Sequence, residues 1–313
     1  MMLLECAMIR LVKTLKKRGA KMKKGRIIVL GHKNPDVDSM ISGYLLSSYL
    51  RYKKYDVEYV IPDEKIDEES RLIVEGCGID TSNFSGTILE GSKLILVDHH
   101  ETEFKNDVIA VIDHHPTIKT FEYPIYINEK ASSTTKHIYD IVSKECPQYI
   151  GRRFIELVII GMVVDTCSFR SSKSKPGDKE WVLDMCEKYG INIDEIMEIG
   201  DCITDIDDVN KASLHGYKGY NYFGKSIGTS YIQVREVDET KIDLILDILK
   251  EKVKQDSLRM WLFIVTNLTD VTTTVYKISR HEVEINQYDF MASRGSNIMP
   301  QIENEMCEEN KWQ

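Results

Sequence analysis

The stretch from Arg26 to Ser39, RIIVLGHKNPDVDS, constrains this chain more than any other. Ile27, Ile28, Val29 and Leu30 make a short apolar run with the composition of a buried strand. Gly31 ends the run, Pro35 fixes the loop that follows, and the loop carries His32, Asp36 and Asp38. Ser39 stands where a helix cap belongs, ahead of the apolar-periodic segment Met40 to Tyr52. A strand that stops at an imidazole and two carboxylates and then turns into a helix puts three ligand-type side chains at the carboxyl edge of a sheet. That edge is where open α/β sheets bind their ligands. An isolated H-x3-D-x-D loop is more often a solvated acid pair, so the rest of the chain decides.

Two further runs end in the same way. KLILVDHH (Lys93 to His100) and VIAVIDHH (Val108 to His115) are apolar segments that stop at Asp and His, and a solvated loop does not explain three such coincidences. DVEYVIP (Asp56 to Pro62) reads as another strand and Glu68 to Gly76 as a charged helix. In ASSTTKHIYDIV (Ala131 to Val142), Ser132 to Thr135 are expected to cap a helix, with an anion at its N-terminus as the alternative use. FIELVIIGMVVDTCSF (Phe154 to Phe169) reads as a buried helix. Its acid Asp165 is costly there unless paired or metal-bound, and a metal is the expectation.

A helix is predicted over Asp178 to Tyr189, before an acidic stretch from Asn192 to Asn210. Residues 214–228 are rich in Gly, Tyr and Lys with little periodicity, and read as a domain connection. Thr229 to Val237, a helix to Gln255, and strands over Trp261 to Asp270 and Thr272 to Ser279 make a smaller α/β unit. The expected division is a basic, dispensable extension over 1–24, a metal-binding domain over 25–213, a connection over 214–228 and a C-terminal domain over 229–313. The fold class is α/β: a parallel sheet with helices on both faces, plus a smaller α/β C-terminal domain across a cleft.

The 313 residues leave room for two domains, and a net charge of −9 gives general nucleic-acid binding no electrostatic support. No apolar run is long enough to cross a bilayer, so no membrane partner is expected. Cys6, Cys77, Cys146, Cys167, Cys186, Cys202 and Cys307 include no C-x-x-C pair. They fit free thiols of a cytoplasmic protein better than a disulfide scaffold or a zinc site. The candidate ligands are His32, Asp36, Asp38, Asp98, His99, His100, Asp113, His114, His115 and Asp165, all offering carboxylate oxygen or imidazole nitrogen. That mix suits Mn²⁺, Co²⁺ or Mg²⁺. There are more ligands than one ion can use, so two divalent ions are expected. Held about 3.5–4 Å apart, two ions turn a bridging water into hydroxide near neutral pH and clamp the oxygens of an in-line displacement. Hydrolysis of a phosphate ester or phosphoanhydride is the chemistry that needs this arrangement.

GHKNPDVDS, VDHHE, VIDHH and the helix ending in Asp165 resemble the four motifs of the DHH phosphoesterase superfamily. Within it the chain resembles the manganese-dependent (family II) inorganic pyrophosphatases, from Arg26 to the C-terminus. The GGGH signature of oligonucleotide-degrading relatives is absent. The resemblance implies hydrolysis of inorganic pyrophosphate to two phosphates by a metal-bridging hydroxide, with manganese preferred, and a homodimer. It also implies that His32 and Asp36 hold one ion, Asp38 and His114 the other, and that Asp98 and Asp165 bridge them. His115 would stand beside the leaving phosphate as a ligand or general acid. Lys218 in GYKGY resembles the family's first phosphate-binding lysine, and Arg294 in SRGSNIMP the arginine of its S-R-K-K-Q-x-x-P motif. Closure of the two domains would bring both onto the substrate.

Two departures from the family pattern matter. Gly295 and Ser296 stand where the family has lysines, which leaves short polyphosphate, a phosphomonoester or a phosphodiester open as the substrate. His100 stands where the family has Asn in V-D-H-N-E, and is a further candidate metal ligand. A non-catalytic phosphate- or nucleotide-sensing module would be expected to have lost metal ligands, and none is lost.

Overall fold

The structure, a computed structural model, describes residues 26–62, 66, 68–117, 121–201 and 203–311. The extension over 1–24 lies outside the described residues. The chain divides into two compact units. One runs to Phe169 and resumes over Lys173–Gly200; the other takes Arg170–Ser172 and everything from Asp201 onward.

The first unit contains β1 (Ile27–Leu30), α1 (Val37–Tyr52), β2 (Val57–Val60), α2 (Glu68–Gly76), β3 (Lys93–Val97), β4 (Asp107–Asp113) and β5 (Tyr126–Asn128). Helices α3 (Thr134–Glu145), α4 (Arg152–Asp165), α5 (Asp178–Tyr189) and α6 (Ile193–Asp201) follow. The five strands are all parallel, in the order β2-β1-β3-β4-β5. The chain leaves β1 to one side for β2 and returns to the other side for β3. The topological switch point therefore lies between β1 and β3, and the crevice beyond their carboxyl ends is where such a sheet takes a ligand.

Every residue of β1 is buried because both faces of the sheet are covered. Ile27 and Val29 join the large core with α1, α3 and α4, while Ile28 and Leu30 join a smaller cluster with Leu94, Leu96 and Val111. The sequence predicts helices on both faces. Among the described residues, the smaller cluster is instead covered by Ile88, Phe104 and Tyr123, which lie in connecting segments. The crossovers over 98–106 and 114–125 join parallel neighbours, and no helix occurs among their described residues.

Helix α1 is buried on nearly every side and packs on α3 and α4. Its cap is Asp36 rather than Ser39: the Asp36 carboxylate accepts the Ser39 N–H at 3.1 Å. Ser39 lies a turn inside, its hydroxyl facing the His32 N–H at 3.4 Å. Helices α3 and α4 touch at Gly161, where a Cβ would stand 2.5 Å from Thr135 Oγ1.

The second unit contains α7 (Val209–Ser213), β6 (Lys218–Tyr222), β7 (Lys225–Val234), α8 (Glu239–Gln255), β8 (Met260–Asn267), β9 (Thr272–Ile278) and β10 (Val283–Tyr288). A π-helical turn over Arg294–Ile298 then leads into α9 (Met299–Lys311). The sheet order is β10-β9-β8-β7-β6, with β7 and β8 parallel across the α8 crossover and the other pairs antiparallel. The smaller mixed α/β unit is thus present, but residues 214–228 are no connection. From Lys218 onward they belong to the β6–β7 hairpin, closed by Phe223 and Gly224, both at positive φ (52° and 77°), the conformation of a two-residue type I′ turn. Residues 201–213 also group with this unit, because Ala212 on α7 enters the core beneath α8.

Cys77, Cys146, Cys167, Cys186 and Cys307 form no disulfide. No helix among the described residues is long and apolar enough to cross a membrane.

Candidate metal centre

The carboxyl ends of three strands and one helix supply the site. The segment after β1 brings His32, Asp36 and Asp38; β3 is followed by Asp98; β4 ends at Asp113, followed by His114 and His115; α4 ends at Asp165. Asp98 sits at φ 64°, a left-handed conformation that strains a residue with a Cβ, and its N–H is tied to Ile112 O at 2.9 Å.

Three sets of ligand atoms converge: His32 with Asp36 and Asp98, Asp38 with His114 and Asp165, and Asp98 with His114 and His115. His32 Nδ1 donates to Lys33 O at 2.7 Å, so its Nε2 is the atom turned to Asp98 at 3.4 Å and Asp36 at 3.7 Å. His114 repeats the arrangement. Its Nδ1 donates to Ala131 O at 3.2 Å, and its Nε2 faces Asp165 at 3.3 Å, Asp98 at 3.5 Å and Asp38 at 3.8 Å. A backbone carbonyl on one ring nitrogen is the usual way of fixing the tautomer of a metal-binding histidine.

The start of α3 organises the carboxylates. Ser133 caps the helix by accepting the Lys136 N–H at 3.2 Å. The next two N–H groups, of Thr134 and Thr135, donate to Asp38 at 2.6 and 3.0 Å, and the Thr134 hydroxyl donates to Asp98 Oδ1 at 2.9 Å. Both expected uses of Ser132 to Thr135 are therefore present, and the anion at the helix N-terminus is the chain's own Asp38.

This cluster fits cations. Asp98 Oδ2, His114 Nε2 and Asp165 Oδ2 are buried without a hydrogen-bond partner, which is costly for groups of this polarity. Burial, then the neighbouring carboxylates of Asp98 and Asp165, push the Asp38 pKa well above the usual carboxylate range. Burial alone would lower the pKa of His114, but Asp165 and Asp98 pull it up to about 10. The donors are oxygen and imidazole nitrogen only, the set preferred by Mn²⁺, Co²⁺ or Mg²⁺.

Asp113 stands behind this layer. It is fully buried and accepts His100 Nδ1–H at 2.6 Å, His115 Nδ1–H at 2.9 Å and the N–H groups of His114 and His115. Burial would raise its pKa, and the hydrogen bonds from His100 and His115 outweigh that and hold it well below the usual range. His100 is thus engaged with Asp113 and joins none of the three converging sets. His99 donates to Val97 O at 2.9 Å, and burial lowers its pKa to about 4.

Lys218 and Arg294 lie in the second unit. Arg294 Nη1 donates to Gly216 O at 2.6 Å and to Thr229 Oγ1 at 3.4 Å, and its guanidinium lies 5.4 Å from the Tyr231 ring centroid. Thr229 in turn donates to Lys218 O at 2.9 Å, so one buried threonine ties the two expected phosphate ligands together. Gly216 is at φ +59° with Tyr231 where its Cβ would be, which explains the glycine before Tyr217. Thr134, Thr229, Tyr231 and Lys173, which pairs with Asp165, carry no local signal of a site in the sequence.

Residues 26–162 match the DHH family, N-terminal domain. The match spans the whole parallel sheet and ends three residues short of Asp165. The chain is 28% identical over 260 residues to the manganese-dependent inorganic pyrophosphatase of Methanocaldococcus jannaschii, covering 77% of this chain and 82% of that protein. It is 25% identical over 280 residues to a probable manganese-dependent inorganic pyrophosphatase of Archaeoglobus fulgidus, covering 78% and 82%. A crystal structure from Methanococcus jannaschii, of a protein assigned to the family II inorganic pyrophosphatases, superposes with a TM-score of 0.70 over 89% of this chain and 98% of that one. At 23% identity that likeness is one of fold. The converging ligand sets lie at the switch point of the parallel sheet that this match covers.

Proposed function

We propose that this protein hydrolyses inorganic pyrophosphate to two phosphates with two divalent metal ions, manganese first among them. The observation that carries the reading is that Asp98 of the His32–Asp36–Asp98 set lies 3.5 Å from His114 of the Asp38–His114–Asp165 set, so the two sets are joined. His32, Asp36 and Asp98 would hold one ion; Asp38, His114, Asp165 and Asp98 would hold the other. When bound, such ions polarise phosphoryl oxygens and acidify water near neutral pH. The names of the curated relatives support both the substrate and the metal.

The chain's own residues have separate tasks. Asp113 fixes the His115 ring by accepting its Nδ1–H, which leaves Nε2 to hold a proton for the leaving phosphate. Asp113 also holds His100, which makes His100 a support of this layer rather than a ligand in this reading. Lys218 and Arg294 bind phosphoryl oxygens; Arg294 keeps part of its fork for this task while Nη1 is anchored on Gly216. Gly295 and Ser296 favour a second reading, in which the same centre acts on short polyphosphate or a phosphate ester, because two cations of the family motif are missing.

The deciding experiment is phosphate release from pyrophosphate by metal-stripped protein reconstituted with Mn²⁺, Co²⁺ or Mg²⁺, beside an Asp98→Ala variant. Release that is lost in the variant is expected. Metal binding without release from pyrophosphate would remove the substrate and leave the second reading, to be tested on polyphosphates and esters.

A further inference from the structure

We propose that Lys173 is a resident cation of the metal centre, holding one oxygen of Asp165 and making one of the two ion positions weaker than the other. The inference rests on the two-metal reading above. Lys173 is drawn in from the segment after α4, its side chain only 13% exposed, and its ammonium pairs with Asp165 Oδ1. Asp165 Oδ2 faces His114 Nε2 at 3.3 Å instead. The two oxygens of Asp165 are thus divided between an ion position and an ammonium.

Asp165 accordingly converges only with Asp38 and His114, while the His32–Asp36 set shares Asp98 alone. In the two-metal reading Asp98 alone is shared, so one position has four protein donors and the other three. Asp36, Asp38, Asp98 and Asp165 supply four negative charges, which two divalent ions neutralise completely. The ammonium then leaves one positive charge in excess, so the second ion enters against repulsion from a cation fixed beside it. The ion pair with Asp165 fixes the position of this charge. An anionic substrate would absorb the excess charge, which gives Lys173 the sign of the lysines absent at Gly295 and Ser296.

The test is Mn²⁺ titration of metal-stripped wild type, Lys173→Met and Lys173→Arg by calorimetry and equilibrium dialysis. Wild type is expected to bind two ions with dissociation constants about tenfold or more apart. Lys173→Met should tighten the weaker site by about tenfold with little change in the tighter one, and Lys173→Arg should resemble wild type. Unchanged or weakened binding at both sites of Lys173→Met overturns the proposal while leaving the two-metal reading in place. Wild type that takes up no Mn²⁺ overturns both. The gain in Tm per decade of Mn²⁺, measured on Lys173→Met and Lys173→Gln, is a second readout: a gain larger than that of wild type supports the proposal, and an equal or smaller one overturns it.

Discussion

Thr134 donates its backbone N–H to Asp38 Oδ2 at 2.6 Å, joining residues 96 apart in the chain, and its hydroxyl to Asp98 Oδ1 at 2.9 Å. The first residue of a helix thereby aims two carboxylates, one from the head of α1 and one just beyond β3. Thr134→Val keeps the N–H and the shape but removes the hydroxyl. Mn²⁺ affinity should fall about 10- to 100-fold, as it does when a residue supporting a metal ligand is lost. Equilibrium dialysis that finds no loss of affinity would show that Asp98 needs no such support.

Asp113→Asn should leave metal content nearly unchanged and lower kcat by about 10²-fold or more, the scale of a general acid that has lost its orientation. The amide can no longer accept from both His100 and His115, so the His115 ring loses its fixed orientation. Steady-state kinetics on the metal-loaded variant decide this, together with the pH profile. A raised KM at unchanged kcat would assign Asp113 to substrate binding instead.

His137 gives a pH dependence of stability away from the ligands. Its Nε2–H donates to Glu129 O at 2.9 Å, and Nδ1 is buried without a hydrogen-bond partner. Burial holds its pKa below the ordinary 6.5. The unfolded chain therefore binds more protons between the lowered value and 6.5, so stability is full above 6.5 and falls as pH drops through that window. Urea denaturation at pH 7.5 and 5.5 should show the fall in wild type and less of it in His137→Gln. Equal slopes for the two proteins would rule His137 out as the cause.

Gly161→Ala places a methyl against Thr135 across the α3–α4 contact. A cost of about 1–3 kcal/mol is expected for overpacking at such a site. Thr135 N–H is also one of the donors to Asp38, so the variant should bind Mn²⁺ more weakly as well. A stability loss with unaltered metal affinity would mean that the helix yields without moving its first turn.

Much of this was readable from residue order because it is local. β1, β3 and β4 each run straight into their ligand-type residues, and parallel pairing brings three such ends to one edge. What escaped reading depends on contacts between distant segments or on competing local choices. Asp36 and Ser39 are both good caps, and only the extended backbone at Asp36 decides between them. The hairpin over 218–234 was hidden because Phe223 is not a typical turn residue, although Gly224 beside it is. The covering of one sheet face by Ile88, Phe104 and Tyr123 has no periodic signature. Lys173 reads as one more lysine in a basic loop until Asp165 is beside it.

Asp36 uses its two oxygens for two purposes: Oδ1 accepts the Ser39 N–H at the head of α1, and Oδ2 faces His32 Nε2 at 3.7 Å. The head of the first helix and one edge of the ion site are therefore a single object. A cation taken up there is expected to damp fraying of α1, so amide hydrogen exchange across Ser39 to Gly43 should slow on loading. That links occupancy of the centre to protection of the most deeply buried helix in the first unit.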